Sequence, residues 1–423
     1  MAKPITAKIC AAALFFLMTT MFTACLTRKY SSIPLNNNMK GVWIATVENI
    51  DYPSKPGISV SEQKKEYRAL LDSFKKAGIN TVFMQVRPTA DTFWESNLDP
   101  WSAYLTGRQG RRPGSYFYDP LKFMVDETHK RGMSFHAWLN PYRVQNNDKY
   151  PLSDKNYASL HPEIVVDYGG KKYYNPARQE AITHNDEIIT ELLTKYNIDG
   201  IHFDDYFYPY PVQKNKQDVD FPDDAEYSEY LRTGGTLSRD DWRRENVNKL
   251  IEQLHKTIKK LRPNAIFGIS PFGIWRNKSD DVPDGSPTKA FQSYDKLYAD
   301  TRTWIKNGWI DYVMPQLYWN YGHKTAPFGE LLKWWEQETL NYGNHGNEKT
   351  KLYIGLALYK HGDKAKGWPS DEIEKQLKDI EGRENVHGAV FFSAKYLLKN
   401  KNREIEIVKD FYKNKKTGTE NGK

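Results

Sequence analysis

Two adjacent carboxylates follow an apolar stretch near the middle of the chain. Gly200-Ile-His-Phe203 has the composition of a buried strand, and Asp204 and Asp205 come directly after it, followed by Tyr206-Phe-Tyr-Pro209. Like charges held close together push their pKa values apart, so one carboxyl group can keep a proton near neutral pH while its neighbour is ionised. Aromatic rings beside such a pair can stack on the C–H faces of a pyranose. The stretch therefore indicates acid–base chemistry on a sugar.

Short apolar segments alternate with amphipathic helical segments along most of the chain, which is the pattern of parallel βα units. Eight strands are predicted, at residues 41–47, 81–87, 134–140, 200–205, 265–271, 312–318, 352–358 and 388–394. Because no long Gly/Pro/Ser-rich linker separates them, we predict one α/β domain, a (β/α)8 TIM barrel over residues 39–414. An open doubly wound sheet fits less well, because no glycine-rich phosphate loop follows the first strand.

The residues at the predicted strand ends share a chemical character. Enzymes built on this barrel form their active sites from the carboxyl ends of the strands and the loops after them. Amide and guanidinium groups can hydrogen-bond hydroxyl and N-acetyl groups, and aromatic rings can stack on sugars, so we predict a saccharide-binding rim. The candidate substrate-binding residues are Arg87, Asn140, Tyr142, Arg143, Tyr206, Tyr208, Trp275, Arg276, Gln316 and Trp319.

Seven blocks of the sequence resemble those of one family, in the same order. They are residues 40–46, 86–88, 100–107, 136–144, 199–209, 268–276 and 309–319, and the resemblance to the glycosyl-hydrolase-like 10 family of bacterial envelope proteins extends from residue 39 to about residue 395. It implies a glycosidase-type barrel in a lipoprotein or secreted protein, with peptidoglycan strands that lack stem peptides as the substrate. Lys40 stands where members often carry Arg, a difference that touches no catalytic residue.

The second carboxylate of an ordinary glycosidase is missing from the predicted strand ends. Strands six and seven end in residues 316–319 and 356–359, which contain no acid. Their composition favours substrate-assisted hydrolysis, in which the 2-acetamido oxygen of the substrate attacks the anomeric carbon.

The paired aspartates resemble those of hexosaminidase-type barrels that work in this way. The resemblance implies that Asp205 is the general acid and base and that Asp204 orients the acetamido group. It further implies that Tyr318, with Gln316, hydrogen-bonds the cyclic intermediate. Strand alternation puts Asp204 and Asp205 on opposite faces, so the reverse assignment of the proton donor stays open.

Two other functions remain open. One is an endo-hydrolase of another polysaccharide that uses two carboxylates, the second coming from Glu48 or Asp91, with Asp51 as a further loop acid. The other is a non-catalytic glycan-binding lipoprotein that keeps the barrel groove. His136 and His202 lack a His-x-His spacing and a third ligand, so no metal and no cofactor are predicted.

The N-terminus has the pattern of a secretory signal. Lys3 and Lys8 precede an apolar run at residues 9–18 that is too short to span a membrane. Small residues before Cys25 resemble the lipobox of bacterial lipoproteins, which implies that Cys25 is acylated. We predict a signal peptide at residues 1–24, a tether at 25–38, a basic polar tail at 415–423 and a lipid-anchored monomer on the periplasmic side of the outer membrane.

The net charge of the chain excludes few classes of binding partner. The formal net charge is +8, which fits an anionic polymer or membrane surface and equally fits a solvated surface. No basic module interleaved with aromatic residues stands out, so no nucleic-acid partner is predicted. Cys10 leaves with the signal peptide, which makes Cys25 the only cysteine of the mature chain and rules out an internal disulfide.

Overall fold

The computed structural model describes residues 33–115, 118–346, 348–363, 365 and 367–413. The predicted signal peptide, Cys25, residues 25–32 of the tether and the tail at 415–423 lie outside the described residues. Among the described helices, none combines the length and the apolar character needed to cross a bilayer.

Eight parallel strands close into a barrel in which each strand pairs with the next along the chain and the last returns to the first. The predicted (β/α)8 barrel is therefore confirmed. The strands are β1 Met39–Ile44, β2 Thr81–Arg87, β3 Ser134–Leu139, β4 Gly200–Phe203, β5 Ile266–Ile269, β6 Tyr312–Val313, β7 Lys351–Leu356 and β8 Val386–Phe391.

Seven of the eight strands are shorter than predicted, and β6 and β4 are the two whose early ends matter most for the position of the paired aspartates. Strand β6 ends at Val313 rather than near residue 318. Pro315 follows two residues later and has no N–H to donate to a strand ladder. Strand β4 ends at Phe203, so Asp204 and Asp205 lie at the first residues of the following loop.

A helix follows each strand and covers the outside of the barrel. These helices are α1 Val60–Ala77, α2 Pro120–His129, α3 Gln179–Lys195, α4 Arg239–Leu261, α5 Thr301–Lys306, α6 Phe328–Tyr342, α7 Glu372–Glu381 and α8 Glu404–Asp410. Helix α1 shows why they begin and end where they do. Its N-cap Ser59 and Glu62 form a capping box, and Gly78 ends it with a φ of 73° that L-residues rarely adopt. Leu70, Leu71 and Phe74 then face the barrel, and each contributes about 1.5–3 kcal/mol when fully buried.

The barrel interior is largely aromatic and also holds two buried histidines, His136 and His202. The Nε2 of His202 lies 3.0 Å from the Nε1 of Trp43, which can only donate, so this Nε2 accepts. The hydrogen of His202 therefore sits on Nδ1, 2.8 Å from the hydroxyl of Tyr312. Burial lowers the pKa of His202 well below its ordinary value. The neutral imidazole thus packs the barrel directly beneath the end of β4.

Loops at the carboxyl ends of the strands build additional structure around the mouth of the barrel. After β3 the chain forms a three-stranded antiparallel sheet of Arg143–Gln145, Lys171–Tyr174 and Val165–Tyr168. After β4 it forms a hairpin, Val212–Lys214 with Gln217–Val219, and a short helix, Asp224–Arg232.

The opposite end of the barrel is covered by the residues that precede β1. The backbone N–H of Ile33 donates to Asp199, the hydroxyl of Tyr353 donates to the carbonyl of Asn36, and Lys351 donates to the side chain of Asn37. Residues 33–38 therefore enter the barrel on the face opposite the loops described above.

Candidate active site

A cavity of about 240 Å³ opens at the carboxyl ends of the barrel strands. Pockets that enclose drug-sized ligands are typically about 300–1,000 Å³, so this cavity suits a single sugar ring. Asp204 and Asp205 are its acidic lining residues, and no other acid of the described residues lines it. Aromatic and amide side chains form most of the remaining wall: Trp43, Trp138, Tyr206, Tyr210, Tyr318, Phe392, Gln85 and Gln316.

Asp204 is held by donors on the side of β3. The Nδ2 of Asn140 lies 2.8 and 2.7 Å from its two carboxylate oxygens, the Nε1 of Trp138 lies 3.1 Å from Oδ2, and the backbone N–H of Tyr206 lies 2.9 Å from Oδ1. Burial raises the pKa of Asp204, while the charge of Arg143 and these donors oppose the rise. Such donors favour the ionised form.

A second layer of hydrogen bonds fixes the orientation of Asn140. Gln85 donates through Nε2 to the Oδ1 of Asn140 at 2.7 Å, and its own Oε1 accepts from the backbone N–H groups of Thr46 and Val47, both at 2.9 Å. Because Oδ1 of Asn140 accepts, its Nδ2 must point at Asp204. The first two barrel strands thus position the carboxylate at the end of the fourth.

Asp205 faces the other side of the site. The hydroxyl of Tyr210 donates a hydrogen bond to its Oδ2. Burial, and after it the charge of Asp204, raise the pKa of Asp205 to about 7, against the opposing hydrogen bonds of Tyr210 and Gln316. A carboxyl group with a raised pKa suits a role in which it first donates and then accepts a proton.

Gln316 and Tyr318 complete the wall opposite Asp204. Gln316 donates through Nε2 to the carbonyl of Ser270 at 2.9 Å. The ring of Tyr318 packs edge-on against Tyr359 at 6.1 Å. Burial, and to a lesser degree Tyr359 and the two aspartates, raise the pKa of Tyr318 well above its ordinary value, so it keeps its O–H as a donor.

Arg143 brings a positive charge to the same cavity. Its guanidinium lies 4.1 Å from the ring centroid of Tyr206, and its Nη1 donates to the carbonyl of Pro88 at 3.3 Å. No ion pair joins it to a carboxylate of the described residues. Its charge stabilises the ionised form of Asp204.

The family model for glycosyl hydrolase-like 10 matches residues 38–369. This chain belongs to the glycosyl hydrolase-like 10 family. It is 47% identical over 370 residues to the glycosyl hydrolase YngK of Bacillus subtilis (strain 168), covering 86% of this chain and 70% of that protein. It is 36% identical over 398 residues to the glycosyl hydrolase DigH of Escherichia coli (strain K12), covering 88% of this chain and 86% of that protein. The predicted glycoside hydrolase class is thereby confirmed.

Solved structures share the fold of this family member. The catalytic domain of a β-amylase from Paenibacillus polymyxa superposes with a TM-score of 0.57 at 11% identity, covering 90% of this chain and 98% of that one. The PgaB (BpsB) glycoside hydrolase domain from Bordetella bronchiseptica superposes with a TM-score of 0.56 at 12% identity, covering 89% and 99%. At these identities the likeness shows the barrel fold alone.

Several residues that we expected to bind substrate lie in the core. Arg87 is fully buried, with its Nε 2.7 Å from Asp99, which also contacts His184 at 3.0 Å. Tyr142 and Tyr208 are buried among core residues and do not line the cavity. We therefore correct the prediction that these three side chains contact substrate directly. Asn140 is also fully buried and does not line the cavity, but it hydrogen-bonds Asp204.

Three predicted binding residues in the loops after β5 and β6 also lie outside the cavity. Trp275 stacks on Trp334 at 6.0 Å and is nearly buried, and Arg276 pairs with Asp295 at 3.2 Å, so neither lines the cavity. Trp319 is half-buried against Phe272 outside the cavity. Of the ten candidates, Arg143, Tyr206 and Gln316 do line it.

Sequence reasoning missed Tyr210 and undervalued Trp43. Tyr210 lies beyond Pro209, where strand alternation no longer indicates direction. The sequence feature that could have indicated Tyr210 is the Tyr-x-Tyr-x-Tyr spacing of residues 206, 208 and 210. The first and last of these tyrosines line the cavity. Trp43 lies within β1 and is not among the predicted substrate-binding residues, yet it forms part of the cavity wall.

The three acids considered as an alternative second carboxylate, Asp51, Asp91 and Glu48, lie outside the cavity. Asp51 accepts from the backbone of Ala45 at 2.8 Å and from the hydroxyl of Ser393 at 2.8 Å. Asp91 is buried and accepts from the backbone of Ala103 at 3.1 Å. Glu48 is exposed, and none of these three acids lines the cavity. In the part of the chain that the structure describes, no group of three or more His, Cys, Asp or Glu side chains is arranged to hold a metal ion.

Proposed function

We propose that this protein hydrolyses glycosidic bonds next to N-acetylhexosamine residues by substrate-assisted catalysis, with Asp205 as general acid and base. The observation that carries the proposal is the pair of buried carboxylates at the end of β4, in a cavity that no other described acid lines. A two-carboxylate enzyme places its acids about 5–10 Å apart on either side of the bond, and usually on different strands. Adjacent acids on one strand fit that geometry poorly.

The environments of the two aspartates assign their roles. Asp205 has a pKa raised to about 7, so it can deliver a proton to the leaving oxygen. Asp204 receives three donor groups, from Asn140, Trp138 and the backbone of Tyr206. These donors favour the ionised form of Asp204, which gives the acetamido group of a substrate a negatively charged partner.

The reaction then proceeds in two steps in which protons and electron pairs balance. The acetamido oxygen attacks the anomeric carbon, the glycosidic C–O bond breaks, and the proton of Asp205 goes to the leaving oxygen. Water next attacks the anomeric carbon, its proton returns to Asp205, and the bond to the acetamido oxygen breaks. Tyr318 and Gln316 line the cavity where they can hydrogen-bond the acetamido group and the cyclic intermediate.

The proposed substrate is a glycan of the bacterial envelope, namely peptidoglycan strands that lack stem peptides. The resemblance carried by the seven sequence blocks supports this choice, and Arg143 adds a cation for an acidic sugar substituent. We further propose a lipid anchor at Cys25, an outer-membrane position facing the periplasm, a monomeric state and no requirement for a cofactor.

The test is digestion by the chain from residue 26 onward, as wild type and as Asp205→Asn. Intact peptidoglycan and amidase-stripped strands are incubated with each protein, and mass spectrometry identifies the soluble products. We expect saccharides from stripped strands with the wild type alone. Release from neither substrate would refute the proposed substrate and favour another glycan or a glycan-binding protein. Equal release by Asp205→Asn would transfer the role of proton donor to Asp204.

A further inference from the structure

A second and larger cavity, about 740 Å³, lies on the rim of the barrel between the loops that follow β2 and β3. Residues 96–101, 108–111 and 153–155 line it. Arg108, Arg111 and Lys155 are exposed at this cavity, which we call the cationic groove. The ring of Trp101 forms part of its wall.

The positive charges of the cationic groove are not neutralised by the protein. In the described part of the chain, Arg108, Arg111 and Lys155 form no ion pair with a carboxylate. Of the two acids at the groove, Asp99 is already engaged by Arg87 and His184 inside the core, which leaves Asp154. The cavity is therefore lined by three cations and by one carboxylate that has no ion-pair partner among the described residues.

A narrow depression extends from the groove along the rim towards residues that adjoin the catalytic cavity in sequence. Gln109 lines the groove and also a narrow depression that it shares with Tyr104, Asn146 and Asn147. Asn146 and Asn147 donate to Glu48 at 3.0 and 2.6 Å, and Glu48 follows Val47 of the catalytic cavity. Amide and tyrosine side chains of the kind that bind sugars therefore line the path between the two cavities.

The positive charge also extends to the catalytic end of this path. Arg143 lines the catalytic cavity without a carboxylate partner among the described ion pairs, and Val144, the next residue, lines the narrow depression. Lys171 lies near enough that burial and the charge of Arg143 together lower its pKa. Cations thus stand at both cavities, and Glu48, the exposed acid between them, accepts hydrogen bonds from Asn146 and Asn147. The cations at the two cavities favour an acidic polymer over a neutral one.

We propose that the cationic groove binds a negatively charged substituent of the same glycan chain whose bond is cleaved at Asp204 and Asp205, several sugars away from that bond. The inference rests on the proposed function and narrows its substrate to long acidic chains. Arginine and lysine accept carboxylates and phosphates alike, so the charged group is a sugar carboxylate or a phosphodiester.

The first test measures binding and does not depend on hydrolysis. A fluorescently labelled polyuronate and a labelled polyglycerol phosphate are titrated into the wild type and into the triple variant Arg108→Gln, Arg111→Gln, Lys155→Gln. We expect the Kd of one polymer to rise about tenfold in the variant, as expected for three exposed charge contacts, and its salt dependence to weaken. The polymer that is affected identifies the charged group. Unchanged Kd values for both polymers would overturn the proposal.

A matched variant removes three lysines from the opposite face. Lys75, Lys76 and Lys260 are exposed in the last turns of α1 and α4, which lie at the amino-terminal ends of the barrel strands. Their replacement by glutamine changes the net charge by the same amount, and we expect wild-type affinities. An equal loss of affinity in this control would show that net charge, and not the groove, binds the polymer.

The second test connects the groove to catalysis. Stripped glycan strands are compared with the same strands after their carboxyl groups have been reduced to alcohols. For a carboxylate-binding groove, the triple variant raises the KM of the unreduced strands about tenfold with kcat unchanged, and leaves the reduced strands unaffected. Equal KM values with both proteins would overturn the link to catalysis. If the wild type cleaves neither strand while the binding test succeeds, the proposed function fails and the groove stands.

Discussion

Tyr210 donates a hydrogen bond to the Oδ2 oxygen of Asp205, the carboxyl group whose pKa burial and the charge of Asp204 raise to about 7. The ring of Tyr210 stacks on Phe291 at a centroid distance of 5.3 Å, which holds the hydroxyl in place. The loop after β4 thus returns to the carboxyl group at its own start and restrains both its position and its pKa.

The Tyr210→Phe variant tests this relationship. Loss of the donor removes a contribution that lowers the pKa of Asp205, so the pKa rises and the acid stays protonated to higher pH. We expect the alkaline limb of kcat/KM against pH to move upward by roughly 0.5–1 pH unit, since a hydrogen bond is worth about 1 kcal/mol. Tyr142→Phe is the matched control, because its buried hydroxyl has no partner among the described residues. An unmoved limb would show that Tyr210 does not tune the acid.

The Asp204→Asn variant should move the same limb in the opposite direction. The negative charge of Asp204 raises the pKa of Asp205, so its removal lowers that pKa, and the proton donor is lost at lower pH. We also expect kcat to fall about 10²–10³-fold, the usual cost of removing one preorganised electrostatic group. An unchanged alkaline limb would show that the charge of Asp204 does not raise the pKa of Asp205, and loss of the limb would indicate that Asp204 itself is the titrating acid.

Replacement of Asn140 should affect catalysis more than binding. In Asn140→Ala, Asp204 loses its closest donor, and a hydrogen bond to a charged group is worth about 1.5–3 kcal/mol, so we expect kcat to fall roughly 10–100-fold with KM nearly constant. Asn185→Ala removes a buried amide of α3 that donates to the carbonyls of Pro141 and Ala181, and it serves as the control for stability. A wild-type kcat in Asn140→Ala would refute its positioning role.

Arg87 should matter for stability and not for substrate affinity. Removal of one partner of a buried ion pair costs about 3–5 kcal/mol, and Arg87→Leu leaves Asp99 charged in the core. Urea unfolding should show this loss, and the double variant with Asp99→Leu should recover part of it. A raised KM with unchanged stability would restore Arg87 to the substrate site.

The environment of Asp99 leads us to expect that the stability of the wild type depends on pH. Although burial opposes ionisation, Arg87 and His184 hold the pKa of Asp99 at about 2, below the value near 3.9 of an unfolded chain. The stabilisation is therefore complete above about pH 4 and is lost as the pH falls towards 2. Urea unfolding at several pH values measures it, and Asp99→Asn should flatten the curve in this range.

Local patterns were sufficient for the barrel and for the position of its carboxylates. The alternation of apolar segments and amphipathic helices recurs eight times, and each predicted strand overlaps an observed one. Strand alternation put Asp204 and Asp205 on opposite faces, but β4 ends at Phe203, and both carboxylates line one cavity from the loop that follows. The repeat of strands and helices depends on neighbouring residues alone, which is why it could be predicted.

The sequence by itself determined the repeat of βα units, the paired acids after β4 and the family to which they belong. The tertiary structure decided which strand-end side chains reach the cavity. Gln85 and Arg87 should share a face of β2, but an irregularity in the pairing of β2 with β3 separates them, and Asp99 draws Arg87 into the core. Tyr208 and Tyr210 likewise diverge because the loop after Pro209 follows its packing and not a strand. A side chain at a strand end points where its distant partners hold it, and those partners meet only in the folded chain.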